Sequence, residues 1–291
     1  DGSRQLPKPP WLKVKIASGA EFNRVKGTLH ESKLHTVCEE ALCPNRAECW
    51  NSGTATFLIL GQVCTRKCMF CAVQSARHGQ NLDSKEPQHI ARAVKEFGLE
   101  CAVLTSVDRD DLPDLGAGHF ARCIGAVKNA GASVEALIPD FQGSAACLRK
   151  IVEAGPDVIA HNIEVVERLQ KTARDARASY KQSLGVLRKV KELNPKIFTK
   201  SSIMLGLGET REEVLQAMDS LLNAGVDFLT LGQYLQPNRK CIPVSEFIEP
   251  KQFNEFKEIA LEKGFKKVLS GPLVRSSYRA AELIQGPGKK A

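Results

Sequence analysis

Six of the ten cysteines in this 291-residue chain fall between positions 38 and 71, in two groups of three. Cys64, Cys68 and Cys71 are spaced by three and then two residues, in GQVCTRKCMFCA. Three thiolates so placed can hold three corners of a cubane 4Fe–4S cluster, and no fourth cysteine is adjacent, so one iron stays open to a substrate or cofactor. Zinc is the competing occupant: it favours paired Cys-x2-Cys units or a nearby histidine, and His78 lies seven residues beyond Cys71. Upstream, Cys38, Cys43 and Cys49 follow one another with four and five intervening residues, in HTVCEEALCPNRAECW. That segment has no strand pattern of its own, so its order must come from what it ligates. A second metal centre is the direct reading, with zinc or free thiols as alternatives. The other four, Cys101, Cys123, Cys147 and Cys241, stand singly in apolar or helical surroundings and read as buried small hydrophobes.

The elements that must position these groups follow a regular rhythm. Short apolar or β-branched runs at 55–60, 101–105, 133–138, 157–161, 199–205 and 228–231 predict six strands, several of them buried on both faces. Between them, apolar residues recur three to four apart, as in Ile90/Val94/Phe97, Phe120/Ile124/Val127 and Val186/Val190/Leu193, which predicts amphipathic helices. After the fifth strand, Thr210 and Glu213 form a capping-box pattern and Gly225 stops the helix. Strand alternating with helix gives an α/β fold with a parallel sheet and right-handed crossovers, either curled into a barrel or open. Ligands then collect at the carboxyl ends of the strands, where the Cys64 loop begins. Residues 1–54 form an N-terminal extension carrying the Cys38 triad, 55–232 the core, and 233–291 a C-terminal extension of loops and one or two short helices.

A chain that is 43% hydrophobic and 25% charged has the composition of one large globular domain. Ten cysteines clustered in this way do not make a secreted disulfide scaffold. No apolar run is long enough to span a bilayer and no signal-peptide core is present, so the expectation is a soluble protein with no membrane partner. Its compartment is expected to be the cytoplasm, or an organelle matrix if a targeting segment was removed. Forty-one basic against thirty-three acidic residues give a net charge of +8. That surplus favours an acidic partner, whether nucleic acid, membrane surface or protein, without choosing among them; the basic residues are scattered without aromatic interleaving, which argues against nucleic acid and leaves a solvated face as the plain reading.

The Cys-x3-Cys-x2-Cys spacing, with Phe70 before the last cysteine and a strand just upstream, resembles the radical S-adenosylmethionine (SAM) superfamily. The two triads together, with LHTVCEEALCPN, VLTSVDRDDL, IMLGLGE, LTLGQYLQP and SGPLVRSSY, resemble the lipoyl synthase family within it, from about residue 8 to residue 278. The resemblance implies a partial (β/α)6 TIM-like barrel of the radical SAM type. It implies two 4Fe–4S clusters: one on Cys64, Cys68 and Cys71 whose open iron chelates SAM and whose electron cleaves it to a 5′-deoxyadenosyl radical, and an auxiliary one on Cys38, Cys43 and Cys49 that donates sulfur. The auxiliary set is completed by a serine of Arg275-Ser276-Ser277-Tyr278, with Ser277 preferred to Ser276; a helix cap is the plain alternative. The implied activity is a sulfurtransferase that inserts two sulfur atoms, at C6 and C8, into a protein-bound octanoyl-lysine and consumes two SAM per lipoyl group. The implied partners are an octanoylated lipoyl carrier protein or domain, a low-potential electron donor such as ferredoxin or flavodoxin, and an iron–sulfur cluster carrier.

Further positions carry candidate SAM contacts. Phe70 would lie beside the adenine, unless it is simply a core aromatic. Asn162 and Glu164 follow the fourth strand and suit the ribose or amino group, with a helix cap as the alternative for Asn162. Arg177 suits the SAM carboxylate, against the reading of a surface arginine. Ser106, after the second strand, is a further candidate. The Gly206-Leu207-Gly208-Glu209 turn would let backbone approach adenine. Asp108-Arg109-Asp110-Asp111 reads as a charged loop at the catalytic end or a local salt-bridge set. Where the family has Asp-Gly-Gly-Ala, this chain has Leu115 in place of the first glycine, and a leucine there is expected to force a different turn. The rival readings are another radical SAM enzyme, such as a biotin-synthase-like sulfur inserter or a methylthiotransferase, and a non-catalytic iron–sulfur carrier.

Overall fold

The computed structural model describes residues 7–13, 35–36, 45–51 and 54–285. A short helix, α1 (Arg46–Asn51), precedes a sheet of seven parallel strands: β1 (Thr54–Ile59), β2 (Cys101–Ser106), β3 (Ser133–Leu137), β4 (Val158–Ala160), β5 (Phe198–Leu205), β6 (Phe228–Gln233) and β7 (Lys267–Gly271). The strands lie side by side in chain order, so each connection must cross over, and a helix covers every crossover. These helices are α2 (Glu86–Phe97), α3 (Ala117–Asn129), α4 (Ala145–Glu153), α5 (Tyr180–Leu193), α6 (Arg211–Asn223) and α7 (Pro250–Lys263). β1 and β7 end the series without pairing to each other, so the barrel is partial; the segment His35–Thr36 edges β1 in antiparallel register, Thr36 opposite Phe57.

Alternation along the strands sorts the residues between two faces. Phe57, Ile59, Leu104 and Ala136 point outward and pack under Ile90, Phe120, Ile124 and Val127. Ile203, Leu205, Leu229 and Leu231 do the same under Val214, Met218, Leu221 and Phe253. The inner face is more polar. There Lys200 Nζ donates to both carboxylate oxygens of Glu135 at 2.8 and 2.9 Å, across β4. The amino-terminal end of the barrel is filled by a last helix, α8 (Ala280–Gln285): Ala280 packs on Cys101 and Val103, and Leu283 on Val158 and Phe228. Lys267 Nζ donates to the carbonyls of Glu282 and Leu283 at 3.1 and 2.7 Å and so holds that helix end. Open space is left at the carboxyl ends of the strands.

All six predicted strands are present, and the Thr210–Glu213 capping box forms in full. The C-terminal stretch differs from expectation. Residues 233–291 contribute the 14-residue α7 and a seventh strand, β7, so they extend the sheet as well as cover it. In β7 only Val268 is buried, and a five-residue run with one buried side chain gives no alternating signal. Leu115 also departs from expectation. It takes the left-handed conformation itself, at φ 55°, ahead of Gly116 at 85°. Leu115 N–H donates to Leu112 O at 3.0 Å, Asp114 Oδ1 accepts from Gly116 N at 3.1 Å, and the leucine side chain packs against the main core. Those contacts offset a conformational cost of about 1 kcal/mol. No helix among the described residues is long and apolar enough to cross a membrane.

Candidate functional site

The loop that carries Cys64, Cys68 and Cys71 leaves β1 through a strained residue. Leu60 sits at φ 69° and Gly61 at 92°. Leu60 is gripped from both sides: its N–H donates to Glu86 Oε2 at 3.1 Å and its carbonyl accepts from Arg109 Nη1 at 3.0 Å. Glu86, at the start of α2, also bonds His119 Nε2 at 2.6 Å, and Asp111 holds Arg109 at 2.8 and 2.9 Å. Cys123 joins Glu86 and His119 in a set whose donor atoms all lie within 4.8 Å of one another. The carboxylate is already shared between Leu60 and His119, so this set serves as a clamp on the loop. Gly61 suits its left-handed φ of 92°, and a Cβ there would also push on Gln80, whose Oε1 accepts from Gln62 N–H.

Along the loop, each triad sulfur accepts backbone N–H groups. Cys64 Sγ accepts from Arg66 and Asp108, each at 3.4 Å, Cys68 Sγ from Asp175 at 3.4 Å, and Cys71 from Val73. Burial pushes the Cys64 thiol up to about 11, with Asp108 adding to it, and the Cys68 thiol up to about 12. Cys71 is raised for the same reason. Thiolates at such positions need a strongly cationic partner, and N–H donors to sulfur are what thiolate-held iron sites use to tune potential. Arg66, inside the triad, is buried and ties the loop to two strand ends: it donates to Asp110 at 2.8 and 2.9 Å and to Asp140 at 2.7 and 2.8 Å. Burial alone would raise Asp140, but Arg66 holds it down at about 2. Asp108 is pushed up to about 6 by desolvation in spite of Arg66, with Asp140 and Asp110 adding to the rise.

A cleft opens beside the triad, lined among others by Cys64, Cys68, Phe70, Cys71, Ser106, Asn162, Glu164 and Arg174. Ser106 Oγ, Asn162 Oδ1 and Arg174 Nε are buried there without a hydrogen-bond partner. Orphaned polar atoms in one cleft point to a polar ligand, since each is costly to leave unmet. Arg174 is aimed by a chain of bonds. Its Nη1 donates to Ser183 Oγ at 2.7 Å, Ser183 Oγ bonds His161 Nε2 at 2.9 Å, and His161 Nδ1 bonds Ile138 O at 2.9 Å. Burial, with Arg174 next, pushes His161 down to about 4, so the ring is neutral: Nδ1–H donates to the carbonyl and Nε2 accepts from the serine. Glu164, at φ 68°, is raised by burial, against which Arg174 and the Asn162 amide act. The set suits a zwitterion bearing hydroxyl groups.

Not every expected residue faces the cleft. Arg177 turns away: it donates to Asp175 at 2.8 Å and to Thr65 O at 2.6 Å, and pairs with Asp110 at 3.1 Å. Two arginines line the cleft, Arg66 and Arg174; Arg66 is committed to Asp110 and Asp140, which leaves Arg174, three residues before Arg177, and sequence spacing does not distinguish Arg174 from Arg177. Phe70 lines the cleft and also packs with Val165, Ala173, Leu207 and Tyr234, so it is a partly buried core aromatic with an edge on the cleft. The 206–209 turn is outside the lining; Glu209 accepts from Gly206 N and Leu207 N at 2.5 and 2.9 Å, and a Cβ at Gly206 would strike Gln233 and the Glu246 carbonyl. The Asp108–Asp111 loop is a salt-bridge set, but one that anchors the triad through Arg66 and Arg109.

Of the upstream triad, Cys38 and Cys43 lie outside the described residues, and Cys49 is buried on α1. The Arg275–Tyr278 motif is tied to that helix. Glu48 Oε1, next to Cys49, accepts from Tyr278 OH at 2.9 Å and Arg279 Nε at 3.0 Å, and Asn45 Nδ2 donates to Leu273 O at 2.6 Å. Ser276 and Ser277 lie between these two ties, and neither is a cap on a described helix. Gly232 on β6 lets the segment pass close, since a Cβ there would collide with Val274 O.

The Radical SAM superfamily profile matches residues 58–221, and that of the N-terminal domain of lipoyl synthase matches residues 1–43. Lipoyl synthase of Halorhodospira halophila is 51% identical over 98% of this chain and 86% of its own length. That of an Anaeromyxobacter species is 53% identical over 95% of each, and the mitochondrial lipoyl synthase of Picea sitchensis is 48% identical over 98% of this chain and 78% of its own. Among solved structures, methylornithine synthase PylB superposes with a TM-score of 0.54 over 87% of this chain and 83% of its own, at 15% identity. Streptococcus suis SuiB bound to its precursor peptide gives 0.60 over 92% and 56%, at 9% identity. Those two likenesses concern the fold alone. The curated relatives reach further, and the chain belongs to the lipoyl synthase family of the radical SAM superfamily.

Proposed function

We propose that this chain inserts two sulfur atoms, at C6 and C8, into an octanoyl chain borne on a lysine of a lipoyl carrier protein or domain. The sulfur is drawn from an auxiliary 4Fe–4S cluster on Cys38, Cys43, Cys49 and Ser277. The observation that carries this reading is the double tie between the Cys49 helix and the segment around Ser277, beside a barrel that already has a cysteine triad over its cleft. A serine oxygen is a harder, weaker iron ligand than thiolate, which suits a cluster built to be taken apart.

Held through the open iron of a 4Fe–4S cluster on Cys64, Cys68 and Cys71, SAM supplies the hydrogen-abstracting radical, one SAM for each sulfur. The cleft's polar atoms match its groups. Arg174 is free to receive the carboxylate through Nε, Glu164 and Asn162 suit the amine and ribose, and Ser106 offers a further hydroxyl. Phe70 supplies an apolar wall for the adenine. α8 closes the end of the barrel opposite the cleft, which leaves the cleft as the way in for the octanoyl chain. The partners in this account are the octanoylated carrier, a low-potential reductant such as ferredoxin or flavodoxin, and an iron–sulfur cluster carrier that rebuilds what is consumed. Incubating anaerobically reconstituted protein with SAM, reductant and an octanoyl-lysine peptide should give mono- and dithiolated products by mass spectrometry. Ser277→Ala should keep reductive SAM cleavage and lose sulfur insertion. SAM cleavage without any thiolated product from the unaltered, fully loaded protein counts against the reading.

A further inference from the structure

We infer that the outer face of the triad loop is the docking surface for an acidic, low-potential one-electron donor protein; this rests on the proposed reading that Cys64, Cys68 and Cys71 hold a cluster. Three segments lie side by side there. Met69 N–H donates to Ala173 O at 2.8 Å, Ile242 N–H donates to Met69 O at 2.9 Å, and Lys67 N–H donates to Asp175 Oδ2 at 2.8 Å. The side chains they present outward are basic: Lys67, Lys171, Arg239 and Lys240 are all exposed, and none forms an ion pair among the described residues. On the segment that joins the other two is Met69, 41% exposed and one of three large apolar side chains so placed among the described residues. An adaptable apolar anchor on segments bearing exposed, unpaired side chains of one sign of charge has the make-up of a transient docking patch.

The loop's two faces decide which acidic partner fits. Phe70 and the triad sulfurs face the cleft, whereas Met69 is outside its lining. A carrier domain delivering an octanoyl arm must reach the cleft. A donor needs only to come near the cluster, and Met69 lies between two of its ligands, Cys68 and Cys71. Electron transfer falls off steeply with distance, so this is the favoured entry. For a flavodoxin, one electron leaves the flavin hydroquinone anion, which becomes the neutral semiquinone without losing a proton, and the cluster gains that electron.

The test compares reductants on the reconstituted holoprotein. With hydroquinone flavodoxin, Lys67→Glu/Arg239→Glu/Lys240→Glu should lower the rate of reductive SAM cleavage about tenfold at low ionic strength, a gap that narrows as salt is added. With dithionite the rate should match the unaltered protein. If dithionite-driven cleavage falls too, the loop has been damaged, and Arg239→Glu/Lys240→Glu, which leaves the triad loop untouched, decides: it must slow only the flavodoxin reaction. An unchanged flavodoxin rate in that pair overturns the inference. So does a rise in KM confined to the octanoylated carrier, which would make the patch a substrate-docking face. A protein that cleaves no SAM even with dithionite would indict the cluster assignment instead.

Discussion

Arg174 and Arg177 stand three positions apart and meet different chemistry. Arg177 is consumed by Asp175, Asp110 and a backbone carbonyl, while Arg174 keeps Nε free in the cleft. On reconstituted protein, Arg174→Ala should weaken SAM binding about 10- to 100-fold, the worth of one charge-assisted hydrogen bond, with cluster content unchanged. Arg177→Ala should leave SAM affinity within about threefold and act on loop stability, since a partly exposed ion pair contributes little. Equilibrium dialysis with labelled SAM separates the two. His161 carries a pH dependence. Its folded value, about 4, lies below the ordinary value of 6.5, so the unfolded chain binds the proton more tightly between those limits. The associated stability is fully present above about pH 6.5 and is lost as pH falls towards 4, with a span on the order of 3 kcal/mol. His161→Gln should be less stable at pH 7 and should flatten the pH slope of denaturant midpoints between 6.5 and 4; an unchanged slope would show that His161 is not the group responsible.

At the scale of elements, the triad loop depends on a clamp far from the cysteines in sequence. Glu86 on α2 and Arg109 after β2 hold Leu60 in a conformation that costs about 1 kcal/mol for a leucine. Glu86→Ala frees the Leu60 N–H and the His119 ring together. It should cost about 2 kcal/mol of stability and speed loss of iron from the triad, whereas Glu86→Gln should recover part of both. Iron release to a chelator, followed in each variant, checks the clamp. Inside the barrel, Lys200 and Glu135 are 1% and 0% exposed. Removing one partner strands a buried charge: Glu135→Leu should destabilise by about 3 to 5 kcal/mol, while Glu135→Leu with Lys200→Met should restore most of it, read as Tm. Six strands were legible because short apolar or β-branched runs alternate with helix-period segments, even though the inner face is polar at Glu135 and Lys200. The sequence hid β7, whose single buried residue, Val268, carries no period, and it hid the clamp, because Glu86, Arg109 and His119 meet only through the barrel's crossovers.

For the molecule as a whole, the placement of the cysteine-bearing loop was the most legible feature, because a close-spaced Cys run directly after a strand pattern puts it at that strand's carboxyl end. The Cys64 triad does sit at the carboxyl end of β1, beside the cleft. The orphaned atoms of the cleft were only partly legible: Ser106 and Asn162 were expected from their places after strands, and Arg174 was not, since its orientation depends on Ser183 and His161. The long-range tie of Glu48 to Tyr278 and Arg279 spans the chain from α1 to α8 and has no sequence periodicity to announce it. It brings the Cys49 helix to the Ser277 segment and so underlies the central claim that the chain carries two clusters of different fate. That claim is tested most directly by iron and sulfide quantification before and after a single turnover. The account predicts about eight of each per chain at the start, as two 4Fe–4S clusters, and about four of each still bound to the desalted protein afterwards, with two sulfurs in dithiolated product and the remaining four irons and two sulfides released. Full retention of iron and sulfide after product has formed would contradict it.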